Sequence, residues 1–167
     1  ENRMGRRDGF LIVSLTWVVF SLVGMLPFIV RGYQPRVAAA FFETMSGFTT
    51  TGATAFTDID ALPHSILLWR SITHWIGGMG IVFFTIAVLP NMGGGDVKLF
   101  SAEATGLKIG KVHPRISTTA RWLWSIYSLL TITCMAAYFF GGMGLFDALC
   151  HGLSTIGTGG FSPHTAS

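Results

Sequence analysis

Of 167 residues, half are hydrophobic and only 11% are charged, with a formal net charge of +3. Soluble domains average about a quarter charged residues, so this composition, with a mean hydropathy of +0.56, excludes an ordinary water-soluble domain and points to a bilayer as solvent. Cys134 and Cys150 lie in apolar segments and offer neither a disulfide framework nor metal-ligand spacing; the positive excess reports membrane topology rather than nucleic-acid binding.

In chain order, residues 1–9 form a polar lead with Arg3, Arg6 and Arg7. The uncharged run 10–30 is 21 residues long, about 30 Å as a helix, which matches a hydrocarbon core. It is predicted as the first spanning helix. It exceeds the roughly 7–15 residues of a signal-peptide core, and no A-x-A-like cleavage site follows. Pro27 lies near its end, where a kink or stop costs little. After the turn at 31–35, Pro35 can open a new helix over 36–47. At about 18 Å this helix is too short to cross. The Thr/Gly segment 49–54, if extended, returns about 20 Å. Descent and return match, so a re-entrant element is expected, with its irregular backbone buried in protein or lining a water-filled cavity.

Residues 56–63 form a polar connection. Residues 64–90 are a second spanning helix, which carries Arg70, His74 and the cluster Gly77-Gly78-Met79-Gly80. A polar loop over 92–118 contains Lys98, Lys108, Lys111 and Arg115. Its Gly93-Gly94-Gly95 is not a phosphate loop, because no Gly-Lys-Ser/Thr follows. A third spanning helix covers 120–140. The turn Gly141–Gly144 leads to a second short helix over 145–152, and a second Thr/Gly segment covers 154–159. Lys and Arg concentrate in the lead and in 91–121, whereas 31–63 holds Arg31 and Arg36. The positive-inside rule therefore puts the N-terminus and the 91–121 loop in the cytoplasm, with both short helices entering from the outer face.

The order spanning helix, short helix, Thr/Gly segment occurs twice. An offset of 105 residues aligns Thr49-Thr50-Thr51-Gly52 with Ser154-Thr155-Ile156-Gly157, and pairs Phe41 with Phe146, Gly47 with Gly152 and Phe56 with Phe161. The expected architecture is an all-α membrane protein of tandem repeats: a first pore repeat over 1–91, a loop over 92–118 and a truncated second repeat over 119–167, with Ser167 as a truncation point.

Thr and Gly at this place suit cation passage. A permeating cation exchanges its hydration shell for backbone carbonyls or a Thr hydroxyl. Gly accepts the backbone angles that carbonyl alignment demands. Uncharged ligands suit a monovalent ion, and the C-terminal end of each short helix adds about half a negative charge. The candidate filter residues are Thr50, Thr51, Gly52 and Ala53 with Thr155, Ile156, Gly157 and Thr158, and a monovalent cation at those residues is the only metal expected. Glu43 on the first short helix and Arg70 on the next spanning helix are a candidate buried pair that buttresses the pore helix, since intramembrane charges pair or face a cavity. His74 has no second ligand at i+4, where residue 78 is Gly, and reads as a hydrogen-bonded packing histidine. His151 and His164 flank the second segment and read as solvated at the interface. Gly77, Gly78 and Gly80 read as close packing in preference to a hinge. Trp69, Trp75, Trp122 and Trp124 read as interfacial or packing aromatics.

Thr155-Ile156-Gly157-Thr158-Gly159 is similar to the T-V-G-Y-G filter of potassium channels. With Arg7-Asp8-Gly9-Phe10-Leu11, Ser46–Thr54, Trp69–Ile81 and Pro114-Arg115-Ile116, the chain resembles the Trk/Ktr/HKT potassium transporter superfamily, in its TrkH branch. The resemblance implies four pore repeats around one pore and potassium transport in a bacterial inner membrane. It also implies a homodimer and a cytosolic nucleotide-binding partner like TrkA, with no cofactor in this chain. It implies that a Ser in place of the first filter Gly favours sodium, so Gly52 and Gly157 argue for potassium over a sodium-permeable or mixed relative. No nucleophile–base arrangement indicates an enzyme; an intramembrane enzyme using His74 and His151, and a non-conducting assembly subunit, are the alternatives from other classes.

Overall fold

The computed structural model describes residues 6–92 and 116–166. Most of the predicted 92–118 loop lies outside the described residues. Among those described, the chain forms six helices and no strand: α1 (Arg6–Gly24), α2 (Leu26–Val30), α3 (Val37–Phe48), α4 (His64–Met92), α5 (Ile116–Phe140) and α6 (Leu145–Ile156).

The predicted helix over 10–30 is broken at Met25. Pro27 has no N–H to donate, and its ring crowds the carbonyl four residues back. Phe28 N–H then bonds the Met25 carbonyl at 3.1 Å, one residue beyond its regular acceptor. The bypassed Gly24 carbonyl accepts the Trp69 indole N–H from α4 at 2.9 Å, so that acceptor is not stranded. Gly24 also lets α1 approach α3, since a Cβ would meet Thr44 and the Phe48 ring.

α3 and α6 each have 12 residues, about 18 Å, and reach only part of the way through a bilayer. α4 has 29 residues, about 43 Å. It lies between the two short helices and packs against both, while α1 covers α3 and α5 covers α6. The outward faces of α1 and α5 are apolar and exposed, with Leu15, Val23, Leu129, Ile132 and Phe140 uncovered. Residues 11–30 and 121–140 are long and apolar enough to cross a membrane.

The second repeat differs from the sequence reading. The short helix expected over 145–152 continues to Ile156, so Thr155 and Ile156 are helical, not part of an extended segment. Gly152 is not a helix stop. It sits inside α6, where a side chain would collide with Met135 of α5. The sequence reading took a packing glycine for a terminating one.

Candidate functional site

The correct register between the repeats is 108 residues. It maps the ends of α3 onto the ends of α6, Val37 to Leu145 and Phe48 to Ile156. It also reproduces the backbone after each helix. In the first repeat, Thr50 N–H bonds the Gly47 carbonyl at 3.0 Å and Thr51 N–H bonds the Ser46 carbonyl at 2.9 Å. In the second, Thr158 N–H bonds the Thr155 carbonyl at 2.9 Å and Gly159 N–H bonds the Ser154 carbonyl at 3.0 Å. Thr50 (φ 55°) and Thr158 (φ 59°) are the two non-glycine residues with positive φ among the described residues. Gly52 (φ 78°) and Gly160 (φ 89°) follow two residues later. Gly157, expected at the position of Gly52, has φ −68° as the helix cap. Thr50-Thr51-Gly52-Ala53 therefore corresponds to Thr158-Gly159-Gly160-Phe161, and of the four residues 155–158 only Thr158 stays in the segment.

The two segments touch. A Cβ on Gly52 would run into the Gly159 carbonyl, so one segment's glycine makes room for the other segment's backbone. Among the described residues, the carbonyls of 50–53 and 158–161 accept no hydrogen bond. A row of uncommitted carbonyls on largely accessible backbone is a ready set of oxygen ligands for a cation. Among the described residues, no three His, Cys, Asp or Glu side chains are grouped to hold a metal ion.

Behind the segments lies a buried polar network. Arg70 Nε donates to Glu43 Oε1 at 2.7 Å, with both side chains almost fully buried. The same carboxylate accepts the Ala55 N–H at 2.7 Å and the Thr54 hydroxyl at 3.0 Å. Glu43 thereby ties the short helix α3 to the chain leaving the first segment. Arg70 extends the network into the second repeat: Nη1 donates to the Ser162 carbonyl at 3.1 Å and Nη2 to Thr54 Oγ1 at 3.2 Å. Its guanidinium lies 4.2 Å from the Phe161 ring centre. Ser162 and Thr54 are equivalent in the 108 register, so Arg70 stands between matching points of two repeats. Sequence reasoning paired Arg70 with Glu43 within one repeat; it could not find Ser162, because a carbonyl acceptor carries no side-chain signature.

One turn on, His74 Nδ1 contacts Ser154 Oγ at 2.9 Å and accepts the Phe161 N–H at 3.4 Å. Its ring stacks on Phe161 at 4.0 Å. His151 packs instead against Tyr138, so the two imidazoles serve different surroundings. Gly77 and Gly78 lie in the uninterrupted helix α4 and do not form a break. A Cβ at Gly77 would meet the Phe48 carbonyl, and one at Gly78 the Tyr127 hydroxyl and the Gly157 backbone. The glycine pair thus lets one helix approach the ends of both short helices. Trp75 donates its indole N–H to Thr131 of α5 at 3.0 Å.

At the other end of the network, His164 is more than an interfacial residue in solvent. Nδ1 lies 3.0 Å from Asp60 and Nε2 3.3 Å from Asp147. Hydrogen bonds to these carboxylates raise the His164 pKa above its ordinary value. Hydrogen bonds from Thr165 and His164 hold Asp60 below the usual carboxylate range. Thr165 Oγ1 accepts the Ile59 N–H at 3.0 Å, so the loops that follow the two segments are laced together.

Comparison with known proteins places this arrangement in context. The whole chain, residues 1–167, matches the family model TrkH, described as cation transport protein. It is 51% identical over 169 residues to the Trk system potassium uptake protein TrkH of Salmonella typhimurium, covering 100% of this chain and 35% of that protein. It is 45% identical over 163 residues to the Trk system potassium uptake protein TrkG of Escherichia coli, covering 96% of this chain and 34% of that one. The crystal structure of the potassium transporter TrkH from Vibrio parahaemolyticus superimposes with a TM-score of 0.80 at 45% identity, covering 100% of this chain and 32% of that one. The chain spans about a third of the length of these relatives.

Proposed function

The chain belongs to the TrkH family of cation transport proteins, and from that premise we propose that it supplies two adjacent wall segments of a potassium-conducting pore. The filter residues are Thr50, Thr51, Gly52 and Ala53 with Thr158, Gly159, Gly160 and Phe161. The observation that carries the reading is the repeated half-depth helix followed by a segment with positive φ at its first and third residues and carbonyls that, among the described residues, accept no hydrogen bond. Uncharged carbonyls replace the hydration shell of a monovalent cation without holding it as a carboxylate ring would. The two short helices direct their partial negative C-terminal charge toward the same place. Gly at both 52 and 160 favours potassium over sodium, on the family pattern. Glu43 and Arg70 act as the buttress that holds the first segment at its pore helix.

In the complete transporter, four such segments close the ring. The protein works as a homodimer in the bacterial inner membrane, with residues 91–121 on the cytoplasmic side beside a TrkA-like nucleotide-binding subunit. The names of the Salmonella and Escherichia relatives as potassium uptake proteins support the transported ion.

Rubidium uptake tests the reading in a full-length transporter carrying this chain. Gly52→Ala places a Cβ against the Gly159 carbonyl, and Gly160→Ala forces an alanine to positive φ in the segment. Both abolish uptake. Gly32→Ala imposes the same kind of φ (72°) with nothing within 4 Å of the new Cβ, and it retains uptake. Normal uptake by both filter variants would overturn the assignment.

A further inference from the structure

We infer that His74 is a positioning residue for ion selectivity: α4, a helix of the first repeat, uses His74 together with Arg70 to set the backbone of the second repeat's filter segment. The inference rests on the filter reading above. One residue meets that segment and the end of its pore helix at four points. The His74 carbonyl lies where a side chain on Gly157 would go, and its imidazole lies where one on Gly159 would go. Nδ1 takes the Phe161 N–H and stands 2.9 Å from Ser154 Oγ, at the end of the pore helix. Arg70, one turn earlier on the same helix, holds the next carbonyl, that of Ser162, at 3.1 Å. Phe161 is gripped between the two, with the guanidinium at 4.2 Å and the imidazole at 4.0 Å from its ring. The peptide before Phe161 and the one after Ser162 are therefore both pinned by side chains of another repeat.

The chemistry favours an acceptor role over simple packing. A nitrogen that accepts the Phe161 N–H is unprotonated, so the proton of neutral His74 lies on Nε2. Nε2 is buried and has no hydrogen-bond partner among the described residues. A residue chosen only to fill space would avoid that desolvation cost, as Phe or Leu does. The position carries an imidazole because the segment beside it offers an N–H, and the orientation of that peptide sets where the adjoining carbonyls point. Selection between potassium and sodium depends on the number and placement of coordinating carbonyls, so a loosened Phe161 peptide should degrade discrimination before it stops flux.

The test is the ratio of sodium to rubidium uptake by a full-length transporter carrying this chain, reconstituted in liposomes. Changes in protein amount or fold alone do not move this ratio. His74→Asn keeps an acceptor close to the Nδ1 position, whereas His74→Gln carries its amide farther out, near Nε2, and His74→Phe removes the acceptor. The ratio should rise about fivefold in His74→Gln and His74→Phe, the equivalent of one buried hydrogen bond, and stay within about twofold of the parent in His74→Asn. If His74→Phe fails to reach the membrane, the Asn and Gln variants decide, since both are polar amides. Equal ratios in Asn and Gln would overturn the inference, as would a parental ratio in Phe. Rubidium uptake by Gly52→Ala and Gly160→Ala separates the two layers. If both keep normal uptake, the filter reading itself fails; if both lose it while His74→Gln keeps the parental ratio, only the positioning role of His74 falls.

Discussion

Replacing Glu43 with Gln removes one charge and almost no volume, which isolates the electrostatics of the buried network around Arg70. Glu43 is 1% exposed and Arg70 also 1%, so solvent cannot take over the lost interaction. The carboxylate receives only donors: Arg70 Nε at 2.7 Å, the Ala55 N–H at 2.7 Å and the Thr54 hydroxyl at 3.0 Å. A glutamine amide oxygen can serve one side of that set, but its NH2 then faces a donor across the other. Arg70 would be left as a buried cation without a counterion. Breaking a buried pair by removing one partner costs about 3–5 kcal/mol, and the turned amide adds nothing back. The expected loss for Glu43→Gln is therefore about 3–5 kcal/mol, more than a hundredfold in the folding equilibrium. Unfolding of the purified full-length transporter by sodium dodecyl sulfate titration measures it. The double variant Glu43→Gln/Arg70→Met removes the stranded charge and should recover a substantial part of the loss, because the penalty arises from an unpaired charge and not from a missing contact. A loss below about 1 kcal/mol in the single variant, in the range of exposed pairs, would refute the reasoning. So would a double variant as unstable as the sum of both single ones.

Two further outcomes follow from the same packing. Gly78→Ala drives a Cβ into the Tyr127 hydroxyl and the Gly157 backbone, whereas Gly80→Ala meets only the edge of Trp17 at 3.1 Å; the first should cost about 1–3 kcal/mol as overpacking and the second clearly less, as read from melting temperatures in detergent. The outer clasp should depend on pH. His164 has its pKa raised by Asp60 and Asp147, so the stability it adds is complete below its ordinary value of 6.5 and is lost as pH rises through the elevated one. Asp60 has its pKa lowered, so its share is present above 3.8 and lost as pH falls through the lowered value. Melting temperatures of the parent and of His164→Gln should differ most between pH 3.8 and 6.5 and converge as pH rises through the elevated His164 value; a constant difference on both sides of that value would contradict the charged clasp.

Much of this molecule is written in its sequence because the bilayer leaves few options. Uncharged stretches near 20 residues must be helices, since no water is present to satisfy the backbone. A 12-residue apolar helix between two such stretches cannot cross. Intramembrane Glu43 and Arg70 announce themselves by being charged, and the Thr/Gly composition marks both segments. The register of the second repeat was not legible in the same way. Gly152 and Gly157 each read locally as a place where a helix can stop, and offsets of 105 and 108 both align Thr with Thr or Ser. A glycine has no side chain to declare whether its missing Cβ serves a turn or a close approach, and only the neighbouring helix decides. Met135 against Gly152 carries α6 onward to Ile156, and the His74 carbonyl against Gly157 marks where the segment turns away. The same holds for Arg70 and His74. Their chemistry was visible in the sequence, but their acceptor and donor are main-chain groups of Ser162 and Phe161, which look alike at every residue until the tertiary fold brings one of them within reach.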